Sequence, residues 1–245
     1  MFKNDYIEYK ANKFREEHGF GITEPIDLYK LLAKLNIISV FRGMSDKFSG
    51  MAIKSDLSNF IMINSNDIKA RQHFTIGHEL YHLFVQENFT NKICSVGLFD
   101  KKDPEEYNAD WFASYLLMPT GGIFELLSEK ELTTKKVSLN TVVKMEQYFG
   151  VSRLAVLNRL MFINLISKER KEEFRSNIKR SALLMGYGGE LYEPANANKV
   201  IGDYGERAKK LYDKELISET DFYNLMLDIF VDIDQQIVDD DKAEG

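Results

Sequence analysis

The sequence predicts an α+β fold in which helices predominate over a small, mainly antiparallel β-sheet. Several segments repeat apolar residues at helical spacing, and short apolar runs early in the chain are separated by Gly, Ser, Asn and Asp. With 44% hydrophobic residues among 245, the chain can bury a substantial core. A glycine-rich stretch near residues 185–205 marks the start of a helical C-terminal extension.

The N-terminal part begins with two predicted helices and continues with short strands. Residues 4–18 and 26–35 have helical patterns, and Pro25 introduces the second of them. Strands are predicted at 37–41, 49–53 and 60–63. An edge strand beside a cleft can bind an extended peptide as an additional strand, and we assign this role to Phe60–Asn64 as a hypothesis. The alternative is that this segment is an ordinary interior strand.

The next predicted helix, at residues 68–85, contains the motif H-E-x-x-H. His78 and His82 lie one turn apart on the helix, on the side opposite its apolar stripe. Two neutral imidazoles can bind Zn²⁺, and Glu79, which points elsewhere on the helix, can accept a proton from water. This combination is the core of a metalloprotease. The alternative is a helix with two structural histidines and a surface glutamate.

A catalytic zinc needs a third protein ligand, and the best candidate is Glu106. Asp103 as an N-cap followed by Pro104 predicts the start of a helix that ends near Met118. Glu106 has a structural alternative, because as the third residue after the cap it fits a capping box. Glu105 is the alternative ligand.

Asp110 is the candidate for a supporting role, one turn beyond Glu106. Its carboxylate can accept the free ring N–H of a liganding histidine and so fix the orientation of that ring. The alternative is an exposed helical aspartate. Ala109 and Ala113 share the side of the two carboxylates, and their small size allows the helix to approach the H-E-x-x-H helix closely.

The rest of the chain is predicted to be helical. Residues 139–165 resemble a helix-turn-helix, but Arg153, Asn158 and Arg159 offer only a thin basic surface to DNA, so packing against the peptidase core is the favoured interpretation. Mixed charge at 168–180 indicates a solvated helix face. We expect a peptidase domain at 1–185 and a helical extension at 186–245.

Charge and composition restrict the class of protein. A net charge of −6 argues against a protein that mainly binds nucleic acid. No segment approaches the roughly 18 apolar residues of a membrane span, and the first residues lack the apolar core of a signal peptide, so we expect a soluble cytoplasmic protein. A single Cys excludes a thiolate metal cluster.

Two longer motifs carry a specific resemblance. RQHFTIGHELYH at 71–82 and EYNADWFASYLLMP at 106–119 resemble the motifs of the ImmA/IrrE metallopeptidases, and the likeness covers about residues 10–165. The resemblance implies a zincin-like, gluzincin-like core with His78, His82 and Glu106 as metal ligands and Glu79 as the catalytic carboxylate. Tyr81 stands where many members have Gly.

The resemblance also implies the substrate and the cofactor. Members of the family cleave or inactivate DNA-binding repressors, so the implied function is a zinc-dependent endopeptidase that cleaves a helix-turn-helix repressor in a mobile-element, prophage or stress-response circuit. Mn²⁺ is the alternative ion, since metal choice also depends on availability. The alternative function is a non-catalytic module that inactivates a repressor by binding it.

Overall fold

The computed structural model describes residues 2–56, 58–89, 92–94, 96–97, 99 and 102–229. The helices are α1 Phe2–Glu17, α2 Leu28–Lys34, α3 Lys69–Phe84, α4 Pro104–Leu117, α5 Thr120–Glu125, α6 Glu129–Thr134, α7 Leu139–Phe149, α8 Arg153–Phe162, α9 Lys168–Phe174, α10 Ile178–Leu184, α11 Tyr204–Asp213 and α12 Glu219–Asp228, with a 3₁₀ turn at Glu190–Tyr192. The strands are β1 Ile37–Arg42, β2 Gly50–Lys54, β3 Asn59–Asn64, β4 Lys92–Cys94 and β5 Val200–Ile201. The predicted α+β class, with its small sheet and helical C-terminal part, is confirmed.

The strands form one mixed sheet in the order β4-β2-β3-β1-β5. β1 pairs with β3 in parallel, and the remaining described pairings are antiparallel. The hypothesis that Phe60–Asn64 is an edge strand is wrong, because β3 lies between β2 and β1 and both of its edges are already hydrogen-bonded.

Helix α3 lies at the centre of the fold, packed between the sheet and α4. From Phe74 to Leu83 every residue of α3 is buried, including those on the histidine side. The sequence pattern places the histidines on a polar face, but between Phe74 and Leu83 the sheet and α4 cover that face as well. The polar residues of this part of α3 are therefore buried and require specific partners.

Helix α1 covers the outer side of α4. The Phe14 ring meets the rings of Phe84 and Phe112 at centroid distances of 5.7 and 5.8 Å, which joins α1 to the ends of both α3 and α4. The fully buried Arg15 guanidinium donates to the Leu116 carbonyl oxygen at 2.5 Å. These contacts fix the C-terminal half of α4 against α1.

The helix-turn-helix-like pair α7 and α8 packs against the core. Gly150 ends α7 in the left-handed conformation with φ of 65°, and the Ser152 hydroxyl caps α8. Arg153 and Arg159 are each only 1% exposed. Arg153 forms an ion pair with the buried Glu146, and the Arg159 guanidinium lies over the Tyr115 ring at 4.2 Å. Both arginines that were considered as DNA contacts are therefore buried and interact with other residues of the protein.

Residues 190–201 join the N-terminal sheet and α3. β5 pairs with β1, and the Gln72 side chain of α3 donates to the Ala195 carbonyl oxygen at 2.8 Å and accepts from the Asn196 amide at 2.8 Å. These contacts cross the expected boundary between residues 185 and 186. We propose that the peptidase domain extends through β5.

Helices α11 and α12 then form a hairpin in which the Tyr212 and Phe222 rings stack at 5.1 Å. The Ser218 side chain and Asp221 form a capping box at the start of α12. The acidic segment after Ile229 lies outside the described residues. Among the residues that the structure describes, no helix is long and apolar enough to cross a membrane.

Tyr192 anchors the 3₁₀ turn through a bond that can be tested. Its hydroxyl donates at 2.6 Å to the Glu146 carboxylate, which also forms an ion pair with Arg153. Tyr192→Phe removes a hydrogen bond to a charged group, so we expect the free energy of unfolding to fall by about 1.5–3 kcal/mol. Tyr9→Phe, at a site 58% exposed, is the control and should change it little. Equal stability of the two variants in urea unfolding would contradict this role.

The contribution of residues 186–203 can be tested by truncation. A chain that ends after Met185 lacks β5 and the partners of Gln72, so we expect loss of the cooperative thermal transition. A chain that ends after Asp203 retains these contacts and should unfold cooperatively. If both truncated chains unfold cooperatively, the proposed extension of the domain through β5 is wrong.

Candidate metal centre

The site depends on a close approach of α3 and α4. A Cβ placed on Gly77 would lie 3.2 Å from the Ala113 Cβ and 3.3 Å from its Cα. These distances are shorter than ordinary carbon–carbon contact, about 3.5–4.0 Å, so only glycine fits this position without displacing α4. As expected, a small alanine of α4, Ala113, allows this helix to approach α3 closely. The residue of α3 that faces it is Gly77.

Three side chains of these two helices converge across the contact: His78, His82 and Glu106, here called the donor cluster. The Nε2 atoms of His78 and His82 are 3.1 Å apart. The Glu106 carboxylate places Oε2 at 3.2 Å from His78 Nε2 and Oε1 at 3.6 Å from His82 Nε2. Both histidines are almost fully buried, whereas the Glu106 side chain is 15% exposed.

The other ring nitrogen of each histidine has its own acceptor. His78 Nδ1 lies 2.9 Å from an Asp110 carboxylate oxygen, and His82 Nδ1 lies 2.5 Å from Gln86 Oε1. Burial and the neighbouring His78 lower the pKa of His82, which favours the neutral ring. If each Nδ1 carries the proton, each Nε2 presents a lone pair, and two lone pairs at 3.1 Å cannot bond to each other.

This arrangement fits a divalent ion. Two ligand atoms bound to a tetrahedral zinc at 2.0–2.1 Å lie about 3.3 Å apart, close to the separations within the donor cluster. Two imidazole nitrogens with one carboxylate oxygen form the protein ligand set of one class of catalytic zinc site. The residues present therefore fit a metal ion of this type.

Asp110 connects the donor cluster to Gly97 and Phe99. Besides its contact with His78, its carboxylate accepts the backbone N–H groups of Gly97 at 2.8 Å and Phe99 at 2.7 Å. The Asp110 side chain is only 3% exposed, and these donors satisfy both of its oxygens. A carboxylate fixed by two amides holds the imidazole of His78 in one orientation.

Glu79 is fully buried, next to the histidines and beneath strand β2. A Cβ on Gly50, the first residue of β2, would overlap the Thr75 methyl group and lie 3.1 Å from Glu79 Oε1. Glycine at this position therefore allows β2 to pass directly over α3. The structure places Glu79 between the sheet and the helix that carries the metal donors.

The alternative ligand Glu105 has another role. Its carboxylate accepts the Tyr81 hydroxyl at 2.7 Å, and burial raises the pKa of Tyr81, so that the hydroxyl stays a donor. Asp103 caps α4 by accepting the N–H groups of Glu105 and Glu106 at 3.2 and 3.4 Å. Glu106 thus has a capped backbone while its carboxylate faces the histidines.

Sequence reasoning missed several residues that complete the site. Gln86 follows His82 by one helical turn, a spacing at which side chains interact, so its role was detectable from the sequence. The amides of Gly97 and Phe99 and the close packing of Gly50 had no local signal, because each depends on contact with a distant segment.

Comparison with known protein families gives a match that covers the site. A family model described as Peptidase M78, IrrE N-terminal-like domain, matches residues 35–161, slightly more than half of the 245 residues. The matched range includes α3 and α4 and therefore the whole donor cluster. No curated protein matches the chain.

The two glutamates at the start of α4 should behave differently on substitution. Glu106→Ala removes a metal donor, so we expect zinc affinity to fall at least about 100-fold, since even residues that only orient ligands contribute 10–100-fold. Glu105→Ala removes the charged acceptor of the Tyr81 hydroxyl and should lower stability by about 1.5–3 kcal/mol while zinc affinity is retained. Chelator competition measures the affinity. Zinc loss in Glu105→Ala but not in Glu106→Ala would reverse the assignment.

Proposed function

The chain belongs to the Peptidase M78 family of IrrE N-terminal-like domains, and from this premise we propose that it is a metal-dependent endopeptidase acting on protein substrates. The observation that carries the proposal is the convergence of two imidazole nitrogens and one carboxylate at the contact of α3 and α4. These three side chains are the protein ligand set of one class of catalytic zinc site.

His78, His82 and Glu106 would hold the ion, which we propose to be Zn²⁺, with Mn²⁺ as the alternative. When bound, such an ion lowers the pKa of water and polarises the carbonyl of the bond to be cleaved. Asp110 orients the His78 ring, and Gln86 does the same for His82. Both rings are thereby fixed before any substrate arrives.

Glu79 is the proposed general base. It adjoins His78 on the same helix, and its full burial excludes bulk solvent around its carboxylate. In the proposed reaction Glu79 accepts a proton from the attacking water and then delivers it to the amine nitrogen of the departing peptide. The proton therefore moves from water to the leaving group through one side chain.

We further propose that the substrate is a helix-turn-helix repressor and that cleavage relieves repression in a mobile-element or stress-response circuit. The support is the likeness of residues 71–82 and 106–119 to the ImmA/IrrE motifs. The competing possibility, inactivation of a repressor by binding alone, requires no general base. The presence of Glu79 beside the donor cluster favours cleavage.

Substitution of Glu79 separates cleavage from binding. Glu79→Gln is nearly isosteric but cannot accept the proton, so we expect peptide cleavage to fall at least about 100-fold while zinc content and unfolding temperature stay close to wild type. The control is Glu87→Gln, because Glu87 is exposed just beyond α3 and should not affect cleavage. Product fragments are measured by mass spectrometry.

Cleavage of a repressor and its inactivation by binding alone predict different products from a candidate repressor. Fragments with the wild-type protein and an intact complex with Glu79→Gln would support cleavage. An intact complex with both proteins would support sequestration and contradict the proposed endopeptidase. Unchanged cleavage by Glu79→Gln would show that another residue is the base.

A further inference from the structure

A cavity of about 290 Å³ lies between the first half of α3, which precedes the donor cluster along that helix, residues 96, 97 and 99, and the start of α8. Its apolar lining comes from four separate parts of the chain. The apolar side chains that line it are Ile68, Phe74, Val96, Phe99, Leu154, Ala155 and Ile178. A cavity of 150 Å³ can hold benzene, so this volume accommodates a side chain as large as leucine, methionine or phenylalanine.

The cavity is continuous with the structure that holds the metal donors. Phe74 precedes His78 by one turn of α3, and Arg71 precedes it by two turns on nearly the same side. Gly97 and Phe99 also line the cavity, and their amides bond to Asp110, which bonds to His78. The same short segment therefore forms a wall of the cavity and supports the candidate site.

The two arginines in the wall do not make the cavity an anion site. Arg71 is paired with Asp67 at 3.3 Å and donates to the Ser49 hydroxyl at 3.0 Å. Arg153 is paired with the buried Glu146. Because both charges have partners within the protein, the chemistry that the cavity offers to a ligand is that of its apolar walls.

We propose that this cavity binds one bulky apolar side chain of the peptide that is cleaved and so sets a sequence preference near the scissile bond. The inference rests on the proposed endopeptidase function. Arg71 lies about 10 Å along the helix from His78 at 1.5 Å per residue, and an extended peptide covers about 3.3 Å per residue. The bound side chain therefore belongs to a residue one to three positions from the scissile bond.

The preference can be measured with a library of ten-residue peptides of mixed sequence and the zinc-loaded full chain. Cleavage sites mapped by mass spectrometry should show Leu, Ile, Met or Phe enriched at one position within three residues of the cut. Burial of such a side chain corresponds to roughly a 10- to 100-fold preference over glycine. Cleavage without any such position would overturn the proposal.

Two variants test whether the cavity causes the preference. Ala155→Phe fills it, and Leu154→Asp places a carboxylate at its rim, where Leu154 is 41% exposed. Each should reduce the preference at least about 10-fold while zinc content is retained. The matched control is Leu184→Asp, at a residue 78% exposed on α10. If Leu154→Asp and Leu184→Asp keep the same preference as wild type, the cavity does not bind the side chain.

A binding experiment separates this inference from the proposed reaction. Tripeptide hydroxamates, with leucine moved through the three positions and glycine elsewhere, are titrated against zinc-loaded Glu79→Gln. Leucine at one position should tighten binding about 10-fold or more over the all-glycine compound, and Leu154→Asp should remove the difference. If wild type cleaves no peptide but this difference is present, the endopeptidase function fails and the cavity assignment stands. Equal binding of all four compounds overturns the cavity assignment whatever the enzyme cleaves.

Discussion

The contact between Gly77 and Ala113 determines whether the donor cluster can exist. Glu106 comes from a different helix than the two histidines, so its distance from them is set by the separation of the helix backbones. A methyl group at Gly77 would meet Ala113 at 3.2 Å and displace α4 by several tenths of an ångström. Metal–ligand distances tolerate only about 0.2 Å, so the small residue on α3 is as much a part of the site as its ligands.

Buried polar side chains of α3 and α4 hold other segments of the chain in place around this contact. Two of them join the central helices to segments outside these helices: Asp110 holds the amides at 97 and 99, and Gln72 holds the loop at 195–196. A buried polar group without partners is costly, so these bonds favour one arrangement of the segments around α3. The peptidase core is therefore specified by polar contacts as well as by apolar packing.

Structural features that depend only on neighbouring residues, such as helix ends, were predicted well from the sequence. The cap at Asp103 followed by Pro104 gave the start of α4, and its end was predicted to within one residue of Leu117, because those signals act within one turn. The positions of the histidines and glutamates followed from the spacing of their motifs. The interior place of β3 and the short strands β4 and β5 were not predictable in this way, because a two- or three-residue strand is defined only by its partner.

The pairing of β5 with β1 has a consequence for how the protein becomes active during synthesis. β1 and α3 leave the ribosome long before residues 195–201, at about 5–20 residues per second, yet the sheet edge and the Gln72 side chain are completed only by those residues. The nascent chain therefore carries the histidines and glutamates for many seconds before their scaffold is complete. The residues of the donor cluster are therefore synthesised early, whereas the strand that completes the sheet beside them is synthesised late.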